Sequence, residues 1–166
     1  MTEIVERTRL LLEICKKRGI LVATAESCTG GMIVSLMTDL PGSSSMVDRG
    51  FVTYSNEAKM DMLGVSSATL EKYGAVSEQT ALEMAAGALE RSRAGLTLSV
   101  TGIAGPDGGS AEKPVGLVWF GVALKGQAPR AEHRIFKNRG RDYVRHQAAY
   151  HAIELALDAL KEDGTA

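Results

Sequence analysis

Histidine and cysteine are scarce in this sequence, with three and two residues among 166. Two thiols, Cys15 and Cys28, make neither a disulfide framework nor a metal site. The histidines, His133, His146 and His151, all fall late in the chain. His146 and His151 are five residues apart, which does not place them on one helix face, so a zinc site is not expected. A surplus of either charge is also missing: 19 lysines and arginines against 20 aspartates and glutamates give a net charge of -1. Bulk charge therefore draws the chain to neither nucleic acid nor an anionic membrane. The longest apolar runs reach about ten residues, short of the roughly 20 that span a bilayer. The opening Met1-Thr2-Glu3-Ile4-Val5-Glu6-Arg7 has no apolar core, so no signal peptide is expected and a reducing cytoplasm is the expected setting. Internal repeats, linkers and low-complexity blocks are lacking as well.

What the chain has is an alternation of helical and extended patterns. Ile4, Thr8, Leu11, Leu12 and Cys15 recur at helical spacing over 3–18, with basic residues in the last turn and Gly19 as terminator. Cys15 reads as an inert core thiol. A buried strand is expected over 20–25. A helix is expected over 30–40, with Met32, Ile33, Leu36 and Met37 inward and Pro41-Gly42 ending it. Ser43-Ser44-Ser45 reads as a helix cap. A second strand is expected over 46–54 and a short helix over 56–63, closed by Gly64. Ser66 or Ser67 then caps a turn reaching Tyr73-Gly74. Ser77 is a good N-cap for a helix over 78–93, where Ala81, Leu82, Ala85, Ala88 and Leu89 form a buried stripe. Its alanines and Gly87 imply close packing.

A third strand is expected over 96–101, followed by a glycine-rich loop over 102–114 whose Asp107, Glu112 and Lys113 are solvated. Residues 115–124 are almost continuously apolar, as in a strand buried on both sides. Residues 131–137 alternate in the manner of a strand with one wet face. Too little sequence separates these two strands for a helical crossover, so they form an antiparallel hairpin. A long helix over 142–160 and a frayed tail from Lys161 complete the chain. The expected architecture is one α/β domain over 1–166, a three-layer α/β/α sandwich with a mixed sheet of about five strands.

In open α/β sheets, sites form outside the strand ends. Three strand ends, near Ser27, Tyr54 and Thr101, are expected to share one crevice. Ser27 follows an apolar strand and precedes a glycine-containing helix start, where free backbone N–H groups supply an oxyanion hole. It lacks the G-x-S-x-G elbow, and the plain alternative is that Ser27 or Thr29 only caps the helix. Cys28 competes as nucleophile, because a helix N-terminus lowers a thiol pKa. No histidine lies in any of the three turns, which leaves Lys59 as the natural base and Tyr54 as a relay or orienting group. Taken singly, Lys59 reads as a solvated surface charge. The loop over 102–109 has N–H groups free to line an anion but lacks the Gly-Lys-Ser/Thr ending of a Walker loop. Asp107 reads as a turn residue, and Arg139 and Arg141 as surface charge or a phosphate fork.

Taken together, Ala25-Glu26-Ser27-Cys28-Thr29-Gly30-Gly31, the segment 50–59, Gly74-Ala75-Val76-Ser77, Gly102-Ile103-Ala104-Gly105-Pro106-Asp107-Gly108-Gly109 and Lys113-Pro114-Val115-Gly116 form an ordered set. In this set the chain resembles, over essentially its whole length, the C-terminal domain of the CinA (competence/damage-inducible) family. The resemblance implies an amidohydrolase that converts nicotinamide mononucleotide and water to nicotinate mononucleotide and ammonia, with no metal and no cofactor. It implies Ser27 as nucleophile, Lys59 as base and Tyr54 as assistant. Cys28, Thr29 and Gly30 would supply oxyanion donors. Thr29, Gly30, Thr101, Gly102, Gly105 and Arg141 would bind substrate. It also implies a homodimer or larger assembly, and the N-terminal domain of longer relatives has no counterpart here. The competing readings are a non-catalytic nucleotide-binding or interaction domain, an amidase for another pyridine nucleotide, and a phosphotransferase, which the missing Walker lysine disfavours.

Overall fold

Residues 2–163 are described by a computed structural model. They form, in order, helix α1 (Thr2–Arg18), strand β1 (Val22–Glu26), α2 (Met32–Thr38), a 3-10 turn (Ser43–Ser45), β2 (Val47–Val52), α3 (Asn56–Leu63), α4 (Ser67–Tyr73), α5 (Glu78–Glu90), β3 (Leu96–Gly102), β4 (Leu117–Leu124), β5 (Arg130–Ile135) and α6 (Arg141–Glu162). The strands make one five-stranded sheet in the order β2-β1-β3-β4-β5. β1 pairs in parallel with β2 and β3, whereas β3–β4 and β4–β5 are antiparallel, so the expected hairpin and mixed sheet are both present.

Helices cover both faces, which makes the three layers. α1, α2 and α6 enclose the larger core, which includes Leu11, Ile33, Met37, Leu98, Phe120, Ile153 and Leu157. On the opposite face α5 lies against the sheet, with Leu63, Val65, Leu70, Met84 and Ala88 in a smaller cluster. Among the described residues no helix is long and apolar enough to cross a membrane.

The approach of α5 to the sheet is close, and the reason lies in small residues. Alternate positions of β3 face the same side, and there Thr97 and Ser99 donate to the carbonyls of Ala85 and Ala81, both at 2.7 Å. Gly121 on β4 makes room, since a Cβ there would overlap Ser99 Oγ and the Ala81 carbonyl. On the other flank of α5, a Cβ at Gly87 would overlap the Leu63 carbonyl of α3. Gly87→Ala is therefore expected to destabilise the fold by about 1–3 kcal/mol despite the better helix propensity of alanine. Urea unfolding measures this, and an unchanged or raised midpoint would mean that the two helices are not in contact at this point.

Three local expectations need correction. Ser43, Ser44 and Ser45 cap nothing: they are themselves a 3-10 turn, entered through Gly42 at φ 87 with no side-chain cap. α5 ends at Glu90, three residues before the expected 93. The tail expected from Lys161 is instead the last turn of α6 to Glu162, with Asp163 as C-cap, while 164–166 lie outside the described residues.

Candidate functional site

Parallel pairing brings three strand ends together. Glu26, the last residue of β1, stands opposite Val52 of β2 and Val100 of β3. The chain stays tied to both neighbours as it leaves the sheet: Ser27 N–H donates to the Val100 carbonyl and Thr53 N–H to the Glu26 carbonyl, each at 2.9 Å. A cleft opens over these ends, lined by Ser27 and Cys28 after β1, Tyr54, Asn56 and Lys59 after β2, Thr101 and Gly102 at the end of β3 and Ala104 after it. Ala75 and Val76, ahead of α5, and Arg141, at the start of α6, close its sides.

Lys59 decides the chemistry of this cleft. It is 1% exposed, which corrects the reading as a solvated charge. Its Nζ donates to the Thr53 carbonyl at 2.8 Å and Ser27 Oγ lies 3.0 Å away, with the Tyr54 carbonyl at 3.5 Å. It has no ion pair among the described residues. Burial pushes its pKa below the ordinary lysine value, because the ammonium loses hydration and gains no carboxylate in return. Ser55 starts α3 by accepting from the Ala58 N–H, and this sets Lys59 one turn into that helix, under the β2 end.

Cys28 is 6% exposed and its thiol is pushed up to about 12, chiefly by burial. Burial outweighs the lowering by the backbone N–H and by the nearby Arg145 and Lys59, which corrects the expectation of a thiol activated by a helix N-terminus.

Neither Ser27 nor Thr29 caps α2, whose N-cap is Gly31 at φ 100 with no side-chain cap. The cap comes from Glu26, which sequence reading passed over as part of a motif. Its buried carboxylate accepts from the Ile33 N–H at 2.9 Å and the Val34 N–H at 3.0 Å, and from the hydroxyls of Thr29 at 2.8 Å and Thr24 at 3.0 Å. A carboxylate at a helix N-terminus also suits the dipole. Glu26 thus anchors the turn that carries Ser27 to the helix that follows. Glu26→Ala leaves buried donors unpaired and is expected to cost about 3 kcal/mol or more. Chemical denaturation tests this, and a loss below about 1 kcal/mol would mean that the turn is held elsewhere.

The other expected residues separate into those at the cleft and those behind it. Thr101 and Gly102 line it, and the Thr101 hydroxyl donates to the Ala75 carbonyl at 2.8 Å, which fixes the side wall. Gly102 has no room for a Cβ, which would lie 2.7 Å from Val118. Thr29, Gly30 and Gly105 do not line the cleft. Gly30 is further corrected as an oxyanion donor: its N–H donates to the Ser27 carbonyl at 3.0 Å and closes the turn. Gly105 contributes its carbonyl, which accepts from Arg141 at 2.9 Å. Arg141 also donates to the Tyr54 hydroxyl at 2.7 Å, so the phenol is bonded to the arginine and to neither Ser27 nor Lys59. Lys113, expected to be solvated, reaches the Tyr73 carbonyl at 2.6 Å.

Arg145, Asn56, Ala75 and Val76 were also missed. Arg145 donates to the carbonyls of Cys28 and Thr29. The available signal was its position four residues after Arg141, on the same helix face. The histidines stand apart from the cleft: His133 packs at a tilt against Trp119, His151 meets Glu132 at 2.7 Å and His146 meets the Asp142 carbonyl. Among the described residues no group of three or more His, Cys, Asp or Glu side chains is placed to hold a metal ion.

A buried, uncompensated lysine on a serine hydroxyl, beside a turn with a free amide, is an arrangement for acyl transfer. Comparison with known proteins points the same way. The profile described as CinA C-terminal domain matches residues 5–160. A protein of Enterobacter agglomerans, nicotinamide-nucleotide amidohydrolase PncC, is 56% identical over 143 residues, 86% of each chain. The protein of the same name from Escherichia coli (strain K12) is 48% identical over 153 residues, 92% of each chain. The crystal structure of competence/damage inducible protein CihA from Agrobacterium tumefaciens matches with a TM-score of 0.92 at 50% identity, covering 95% of each chain.

Proposed function

The chain belongs to the CinA C-terminal domain family, and on that premise we propose that it is a nicotinamide-nucleotide amidohydrolase working through Ser27 and Lys59. It converts nicotinamide mononucleotide and water to nicotinate mononucleotide and ammonia. The observation that carries this reading is the contact between the buried Lys59 Nζ and Ser27 Oγ at 3.0 Å.

A neutral lysine amine has two N–H bonds and one lone pair. The carbonyls of Thr53 and Tyr54 are acceptors for the hydrogens, which leaves the lone pair for the Ser27 proton. Ser27 Oγ, losing that proton to Lys59, attacks the carboxamide carbon, and the carbonyl π electrons move onto oxygen. The amide of Cys28, a residue that lines the cleft, donates to no backbone acceptor among the described residues, and it stabilises this oxyanion. Such a donor is worth about 3 kcal/mol. As the tetrahedral intermediate collapses, the C–N bond breaks, Lys59 gives its proton to the leaving nitrogen and ammonia departs. Water, deprotonated by the same lysine, then hydrolyses the nicotinoyl ester and restores Ser27.

Arg141 supplies a cation for the nucleotide phosphate. A cation is unfavourable at a helix N-terminus in isolation, and an anionic ligand offsets that cost. Tyr54 serves by holding Arg141 across the cleft mouth rather than by relaying the proton, and Thr101 and Gly102 form the wall against the ring. We extend the same reading to a single cytoplasmic domain over 1–166 that acts as a homodimer or larger assembly, without nucleic acid. Sedimentation of the purified protein tests the assembly.

The deciding experiment incubates the protein with nicotinamide mononucleotide in the presence of a chelator and follows ammonia and nicotinate mononucleotide together. Equal release of both is expected. Nucleotide binding with no release would leave a binding domain instead.

A further inference from the structure

Arg145 lies outside the cleft lining, yet it grips the turn that carries Ser27. Its Nε donates to the Cys28 carbonyl at 3.0 Å and its Nη2 to the Thr29 carbonyl at 3.1 Å. A carbonyl and the N–H of the next residue belong to one planar trans unit and point in opposite directions. The Cys28 carbonyl is thereby rigidly coupled to the Thr29 N–H, and the Thr29 carbonyl to the Gly30 N–H that closes the turn on Ser27. A cation held on the carbonyl side fixes the direction of each N–H and polarises it. The guanidinium fork reaches both carbonyls at once, which a single ammonium on a flexible stem does not. No carboxylate pairs with Arg145 among the described residues, so its charge acts on the turn without neutralisation.

Resting on the reading of Ser27 as nucleophile, we propose that Arg145 is a positioning residue for the reaction: through the Thr29–Gly30 peptide it strengthens the hydrogen bond that closes the turn on the Ser27 carbonyl, and so fixes the direction in which the Ser27 hydroxyl is presented. Alignment of the Ser27 hydroxyl matters to the attack and not to nucleotide binding, so the effect falls on kcat and spares KM.

The test is steady-state kinetics on nicotinamide mononucleotide with wild type, Arg145→Ala and Arg145→Lys. Arg145→Ala is expected to lower kcat about 10- to 100-fold with KM within about twofold. Guanidinium ion, at concentrations below unfolding, is expected to restore part of that kcat. Arg145→Lys is expected to lose about 3- to 10-fold in kcat, and it carries the test if the alanine variant fails to fold. A wild-type kcat in either folded variant, or a raised KM at constant kcat, overturns the proposal. Wild type that releases no ammonia overturns the amidase reading itself, an outcome seen before any variant is compared.

Discussion

Ser27→Ala is expected to fold as the wild type does and to release ammonia more slowly by on the order of 10^5-fold, the usual consequence of removing a nucleophile outright. The stability effect is small because, among the described residues, the Ser27 hydroxyl makes a single hydrogen bond, to Lys59. Lys59 keeps the Thr53 carbonyl after the change. The backbone bonds that shape the turn, from Ser27 N–H to Val100 and from Gly30 N–H to the Ser27 carbonyl, do not involve the side chain. Intact-mass analysis of acid-quenched wild type should show a nicotinoyl nucleotide ester, absent from the variant. Cys28→Ala is the control. With its thiol pushed up to about 12, Cys28 stays protonated at neutral pH, and its contribution to the oxyanion is a backbone amide that alanine retains. Activity within a few-fold of wild type is expected. If Ser27→Ala retained activity within tenfold while Cys28→Ala lost it, the nucleophile would be the thiol.

Lys59→Met is expected to lower kcat/KM by about 10^2- to 10^4-fold, the range of a general base. The residual rate comes from the oxyanion amide and from nucleotide binding. The pH dependence has a sign that follows from burial. Lys59 must be neutral to accept the Ser27 proton, so wild-type kcat/KM rises with pH up to the lowered Lys59 pKa and then levels. The variant lacks this limb. Stability carries the same signature. In the folded protein Lys59 holds its proton less firmly than in the unfolded chain, where its pKa is the ordinary one. Between those two values the unfolded state binds more protons, so wild-type stability gains with rising pH across that window. Below the lowered pKa both states are protonated and the desolvation cost is borne in full. Denaturant unfolding of wild type and Lys59→Met at neutral pH and again near the ordinary lysine pKa measures the difference. Wild type should gain relative to the variant. Parallel stability curves would mean that Lys59 is hydrated, and the base assignment would go with it.

Individual elements show how far local sequence reaches. α3 was expected over 56–63 and spans Asn56–Leu63, because both ends are marked by residues beside them: Ser55 accepts from the Ala58 N–H, and Gly64 takes φ 70. α2 was expected from residue 30 and begins at Met32. Its start is set by two left-handed glycines and by the carboxylate of Glu26, which reaches seven and eight residues ahead to Ile33 and Val34. Standard capping signals are sought within a few residues, so Glu26 was legible only as a motif member. Ser27 and Lys59 were legible as a candidate pair from the shared strand ends and the lack of histidine there, and the family resemblance gave them their roles, since 32 residues separate them and each alone has an ordinary reading, as a helix cap and a surface charge.

The sequence by itself determined the succession of helices and strands, the hairpin that makes the sheet mixed, and membership of the family, because periodicity, caps and ordered motifs are local properties of the chain. The tertiary structure alone decided which polar groups lose water. Parallel pairing of β1 with β2 and β3 aligns three strand ends, and α3 folds over them. Lys59 is thereby desolvated against a hydroxyl and carbonyls, while Arg145 arrives from the far end of the chain to hold the turn. Desolvation depends on everything packed around a group, so no spacing within one segment encodes it.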